Sequence, residues 1–134
     1  MASKPENNFI NSVHRKLDAR IYREKMYNPY RSGTPDVFYS GVRASLWIEY
    51  KYRVRAAIPE SLKSLLSKQQ ELWITGRLEE NRNVWVADAI RTNSGRPSIY
   101  LCTDLRTQTY PVSKPRVSTL DEFVKTIEEF CLEH

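Results

Sequence analysis

The chain has 134 residues, 40% of them hydrophobic and 28% charged, with a formal net charge of +5. That is about one domain's worth of chain with enough apolar residues for a single core, which excludes wholesale disorder. No apolar run approaches the roughly 20 residues that span a bilayer, and the polar start Met1 to Asn8 lacks the apolar stretch of a signal peptide, so a cytoplasmic protein is expected.

In chain order, Phe9, Ile10, Val13 and Leu17 recur at helical spacing and predict a first helix over residues 6–19. Residues 21–26 suit a short strand, and Asn28-Pro29 and Ser32-Gly33-Thr34-Pro35 punctuate a loop. Asp36 to Tyr39 reads as a strand, Gly41 marks a turn, and the aromatic and branched run Leu46 to Val54 is its hairpin partner. After a connection opened by Pro59-Glu60, Leu65, Leu66, Gln69, Leu72, Trp73 and Leu78 predict a helix through residue 80, with Ser67 as its cap. Asn83 to Ile90 and the shorter Ser98 to Leu101 are strands. The run Ser118-Thr119-Leu120-Asp121-Glu122 has capping-box spacing, and Leu120, Phe123, Val124, Ile127, Phe130 and Cys131 form a helical stripe behind it. The order is α-β-β-β-α-β, then a strand and an acidic helix. We expect one domain over residues 1–131. Leu132-Glu133-His134 has the pattern of the start of an affinity tag and is set aside.

Two cysteines, Cys102 and Cys131, have no metal-ligand spacing and read as buried thiols. With His134 set aside, His14 is the only histidine on which a nucleophilic triad or a zinc site would be built, and it reads better as a packing or phosphate-facing residue. Charge is unevenly spread: residues 1–117 carry a net +9 and residues 118–134 a net −4. A basic body with an acidic appendage suits a polyanionic partner approached from one side.

One constellation carries chemistry. Asp36 follows Pro35 at the start of one strand, and thirteen residues later Glu49-Tyr50-Lys51 lies on its hairpin partner. Alternation puts Glu49 and Lys51 on one face, and the hairpin brings the Asp36 carboxylate to them. Two carboxylates beside one ammonium require compensation, by mutual pairing or by a cation. Mg²⁺, with Mn²⁺ as a substitute, prefers such a site: a few carboxylate oxygens from Asp36 and Glu49, a backbone carbonyl such as that of Tyr50, and waters. The cation would activate a water and neutralise charge on a phosphoryl group, with Lys51 orienting the water or stabilising the pentacovalent oxygens.

Gly33-Thr34-Pro35-Asp36-Val37, Trp47-Ile48-Glu49-Tyr50-Lys51-Tyr52 and Ser67-Lys68-Gln69-Gln70-Glu71-Leu72-Trp73 together resemble the PD-(D/E)XK nuclease superfamily, over Glu6 to Ile90. Within it they are most similar to small phage-encoded nucleases of the VRR-NUC and Holliday-junction-resolvase type. The resemblance implies an α/β fold with a restriction-endonuclease-like αβββαβ core, a central mixed sheet flanked by helices, and here a C-terminal acidic helix in addition. It also implies a Mg²⁺-dependent endodeoxyribonuclease of the host cytoplasm that hydrolyses phosphodiester bonds, with branched or junction DNA as the candidate structure-specific substrate. Gln70, or less well Gln69, matches a glutamine near the catalytic centre of such proteins. A further acid on the first helix is matched by Glu6, with Glu24 as the competitor, which leaves one-metal and two-metal chemistry both open.

Arg15, Lys16, Arg20, Arg23, Lys25 and Arg31 cluster before the hairpin, with Tyr27 and Tyr30 beside them, and Arg53 and Arg55 continue the parity of Glu49 and Lys51. These cations are candidates to hold phosphates, and the tyrosines to stack on bases. Cutting two strands needs two sites, so a homodimer is expected. The competing function is a non-catalytic nucleic-acid-binding module on the same fold.

Overall fold

Ser3 starts the first helix: its side chain accepts the Glu6 N–H at 3.4 Å, and with Pro5 in the first turn it launches α1, Lys4–Lys16. Phe9, Ile10 and Val13 are its buried stripe. The computed structural model describes residues 3–27, 33–57, 61–93, 95–107 and 116–133, leaving aside the side chains of 116 and 117. After α1 come β1 (Tyr22–Lys25), β2 (Val37–Ser40), β3 (Ser45–Val54), a 3-10 turn (Leu62–Leu65), α2 (Lys68–Glu79), β4 (Val84–Arg91), β5 (Pro97–Cys102), β6 (Arg116–Ser118) and α3 (Leu120–Leu132).

The six strands form one mixed sheet in chain order, β1 to β6. Every neighbouring pair is antiparallel except β3 and β4, which run parallel. A parallel pair needs a crossover, and the 3-10 turn with α2 supplies it. On one face Leu46, Ile48 and Tyr50 of β3 join Phe9, Ile10 and Val13 of α1 and Phe123, Val124 and Ile127 of α3 in the larger core. On the other, Val84 and Val86 pack with Leu62, Ile74 and Leu78. Covered on both faces, β4 is buried from Val84 to Ile90, which is why its sequence is nearly all apolar. Cys102 and Cys131 are buried free thiols, as expected. Among the described residues no helix is long and apolar enough to cross a membrane.

The expected order of elements is present, with three differences. The apolar stretch after Pro59 divides, because Leu66 is extended and Ser67 restarts the chain as the α2 cap with a full capping box to Gln70. β6 has three residues, too few to show alternation, and pairs with Ile99–Leu101. Thr119 caps α3, whose helix runs through Leu132; that residue packs against the core rather than standing outside the fold.

α3 also holds the turn between β2 and β3. The Cys131 carbonyl accepts the N–H groups of Arg43 at 2.9 Å and Ala44 at 3.3 Å, and the Arg43 side chain donates to the Phe130 carbonyl at 2.7 Å. Gly41 permits this approach, since a Cβ there would stand 2.5 Å from the Cys131 oxygen.

Inside β4 sits Asp88, fully buried and held by Arg53 of β3 through Nε at 3.2 Å and a terminal nitrogen at 2.7 Å. Removing one member of a buried pair strands the other's charge. Arg53→Ala is therefore expected to cost about 3 kcal/mol in denaturant unfolding, with Asp88→Asn added to it restoring part of the loss.

Candidate functional site

Pairing of Val37 with Ile48 sets the β2–β3 register, and one step further along it Asp36 meets the Glu49–Tyr50 stretch. The Tyr50 N–H donates to Asp36 Oδ2 at 2.8 Å. N–H and carbonyl of one strand residue face the same neighbouring strand, so the Tyr50 carbonyl is directed to the Asp36 side as well. Glu49 lies on the α2 face, 2% exposed. Its Oε2 accepts from Gln70 Nε2 at 3.2 Å and stands 3.5 Å from Lys51 Nζ. Lys51 Nζ also donates to Gln70 Oε1 at 3.3 Å. Asp36, Glu49, Lys51 and Gln70 thus come together as the sequence suggests, with Gln70 rather than the exposed Gln69 turned inward.

Gln70 is fixed twice. It is the third residue of α2, and the same Oε1 that meets Lys51 accepts the Ser67 N–H at 2.9 Å, while the Ser67 hydroxyl accepts the Gln70 N–H at 3.2 Å. The cap that starts the helix also aims the side chain. Gly33 completes the frame: with φ +96° it packs so closely on α2 that a Cβ would stand 2.5 Å from the Gln69 carbonyl oxygen.

The electrostatics are those of an acid pair short of positive charge. Burial, then the Asp36 carboxylate, pushes the Glu49 carboxyl up to about 8, although Lys51 opposes it. Asp36 is raised chiefly by burial, against the Tyr50 N–H and Lys51, and its side chain is within hydrogen-bonding reach of Glu49. Glu6, in the first turn of α1, is raised by burial and then by Asp36. Of the two candidates for a further acid, the fold turns Glu6 toward the pair. Glu24 pairs across with Phe38, one row along the sheet, and is exposed with its Oε2 accepting from the Tyr22 hydroxyl at 3.3 Å. Among the described residues no three of His, Cys, Asp and Glu form a metal cage by themselves. A hard cation that keeps several waters still fits two carboxylates and a carbonyl, and it would relieve the charge that Lys51 leaves uncompensated.

His14 lies on the opposite face. Its Nε2 meets the Tyr39 hydroxyl at 2.8 Å, which meets the Tyr50 hydroxyl at 2.6 Å. Burial, then Arg23 and Lys25, lower it to about 4, so it is a neutral packing group.

The cations chosen for phosphate binding are scattered by the fold. Arg23 is not free for DNA: it closes the C-terminal end of α1, donating to the carbonyls of His14 at 2.8 Å, Asp18 at 2.8 Å and Ile21 at 3.0 Å. Arg53 is committed to Asp88 and to the Ala57 carbonyl at 3.1 Å, so it does not extend a phosphate track. Arg15 donates to Ser12 at 3.1 Å, Lys16 pairs with Asp121 at 3.1 Å and Arg20 with Asp18 at 2.8 Å, all around the end of α1 away from Glu6. Lys25 is nearer the site and donates to Asn7 and Asn11. Arg55 is exposed, with a left-handed φ of 52° just past β3. Tyr30 and Arg31 lie outside the described residues. Asp88 escaped notice in the sequence; its signal is a lone acid in an otherwise apolar central strand.

No protein-family model and no curated protein matches the chain. Among solved structures it is similar to Hjc, a Holliday junction resolvase from Archaeoglobus fulgidus, at 15% identity over 94% of this chain and 93% of that one, with a TM-score of 0.47. What the site can do follows from its own residues.

A carboxyl whose pKa is raised on folding is protonated more in the native than in the unfolded state. Stability therefore falls as pH climbs from the ordinary value of 4.5 through about 8. Glu49→Gln is expected to unfold near the wild-type temperature at pH 5 but about 5 °C or more above it past pH 8, and saturating Mg²⁺ narrows that gap by stabilising the wild type alone. Gly33→Ala, by contrast, costs about 1–3 kcal/mol at every pH, read by thermal melts, because strain and the Gln69 contact do not titrate.

Proposed function

We propose that the chain is a metal-dependent endonuclease that hydrolyses phosphodiester bonds in DNA. The observation that carries the reading is Glu49, nearly sealed from water, with one oxygen shared by Gln70 at 3.2 Å and Lys51 at 3.5 Å and with Asp36 alongside. A protein gains nothing in stability from burying two acids together, so the arrangement is best explained by a cationic ligand and the anion it draws in.

Asp36 and Glu49 would hold Mg²⁺, with the Tyr50 carbonyl and waters completing its shell; Mn²⁺ fits the same oxygens. When bound, the cation supplies Lewis-acid stabilisation of a phosphoryl group and eases loss of a proton from water. Lys51 sets a fixed positive charge beside that group, where developing negative charge on the phosphoryl oxygens is met without reorganisation. Gln70 keeps Glu49 and Lys51 in register, and Glu6 stands by as the acid that orients water or extends the cation's shell. The net charge of +5 favours a polyanion, and the exposed Arg55 and Lys25 are the phosphate contacts that remain of the expected set. A homodimer would supply the second site that cutting two strands requires.

The test is a labelled four-way junction beside its matched linear duplex, each with Mg²⁺, Mn²⁺ or EDTA. Cutting is expected with either metal and not in EDTA. Asp36→Ala and Glu49→Ala each lower it by about a thousandfold while binding stays equal or tightens, since phosphate no longer faces the removed charge. Cutting of the junction alone makes the enzyme a shape reader; equal cutting of both makes it a general endonuclease. Salt-dependent binding with no cutting of any substrate overturns the reading in favour of a non-catalytic nucleic-acid-binding module.

A further inference from the structure

The three elements that bring Asp36, Glu49 and Gln70 together each carry an aromatic residue a short step further on. Phe38 lies two residues beyond Asp36 on β2, Trp47 two before Glu49 on β3, and Trp73 nearly one turn beyond Gln70 on α2. Phe38 and Trp47 are register partners. Residues two apart on a strand share a face at about 6.7 Å spacing, so the aromatic row borders the acid row on the same side of the sheet.

The rings pack in series. Phe38 and Trp47 have centroids 4.8 Å apart, Trp47 and Trp73 are 5.3 Å apart edge to face, and the Arg77 guanidinium lies 5.5 Å over Trp73. With Arg82 they line a cavity of about 300 Å³, and all three rings are only half-buried. Two arginines frame this cavity. Arg77 Nε is buried with no acceptor among the described residues, although a terminal nitrogen of the same group holds Glu80 at 2.9 Å. Arg82 is set at the rim by the way α2 ends: its N–H donates to the Arg77 carbonyl at 2.9 Å and the Asn81 N–H to that of Leu78 at 3.0 Å, with Asn81 left-handed at φ 62°. The Arg82 side chain is exposed and makes no ion pair among the described residues.

We propose that this pocket takes an unpaired nucleobase about one nucleotide from the scissile phosphate. The base stacks on the Trp47–Trp73 pair, and the adjoining phosphate lies against Arg82. Aromatic rings with a cationic rim, next to acids suited to a phosphate-bound cation, fit a nucleotide better than a protein side chain. The substrate class rests on the DNA-cleaving reading above. A closed duplex offers no unpaired base, so the pocket would favour frayed, flapped or branched DNA.

The test uses a short oligothymidylate, the same strand with one central abasic site, and a closed duplex, all in EDTA, read by tryptophan fluorescence and anisotropy. The oligothymidylate is expected to quench the tryptophans. Arg82→Ala and Trp73→Leu, and in the wild type the abasic site, each weaken binding by about fivefold or more, while duplex binding shifts by less than about twofold. Trp73 also touches the smaller core, so melting temperatures are compared first; if Trp73→Leu unfolds, Arg82→Ala and the abasic strand decide. Binding without quenching, or unchanged affinity in Arg82→Ala, overturns the proposal. A wild-type dimer that Arg82→Ala turns into monomers in sedimentation does so too, assigning the surface to a second copy. Because nothing is cut in EDTA, the two readings fail separately: quenching by a protein that never cleaves keeps the pocket and loses the nuclease, and cleavage without base dependence does the reverse.

Discussion

Two carboxyl groups at the mouth of one β-hairpin compete for what little positive charge reaches them, and much of the surrounding structure is arranged around that competition. Asp36 is restrained by a backbone N–H from Tyr50, and Glu49 by the amide of Gln70 and the ammonium of Lys51. None of these partners neutralises the pair. Burial raises both acids, and Asp36 raises Glu49 further, a demand that a cation bound there would relieve. The hairpin register, the close packing of Gly33 on α2 and the cap at Ser67 all serve to keep these groups a few ångströms apart against their repulsion.

Across the sheet the same strand does a different job. Leu46, Ile48 and Tyr50 carry the larger core, and Trp47, Glu49, Lys51 and Arg53 carry charge and aromatic surface toward α2. The parallel pairing of β3 with β4 lets one strand do both, because the buried β4 anchors it along its length while β2 begins only at Val37 and leaves the Asp36–Tyr50 edge open. Asp88 on β4 takes Arg53 out of that polar face and turns it into part of the scaffold.

Much of this was legible in the sequence where local pattern and tertiary role coincide. Alternation from Leu46 to Val54, the turn at Gly41 and the placement of Pro35-Asp36 are enough to bring the acids together, because a hairpin is a short-range structure. The Gln70 position needed the resemblance, since a glutamine in a polar helix has no periodic signal of its own. What failed was reasoning from nearness in sequence. Arg15, Lys16, Arg20 and Arg23 are close together in the chain and close to the hairpin, yet the length of α1 carries them to its far end, where Arg23 serves carbonyls and the others meet local partners. β6 and the shared rim of Trp47, Trp73 and Arg82 depend on contacts between distant segments, which no window of sequence reports.

The hold of α3 on the β2–β3 turn has a temporal consequence. The Cys131 carbonyl and the Gly41–Ala44 turn are separated by almost ninety residues of chain, and between them lie the crossover helix and the four strands β3 to β6. During synthesis on the ribosome the hairpin that bears both acids emerges early, but its turn lacks this clamp until α3 has cleared the exit tunnel. A nascent chain thus carries the acids without the finished frame that registers them. The frame that registers the two acids is therefore completed only once synthesis has passed α3.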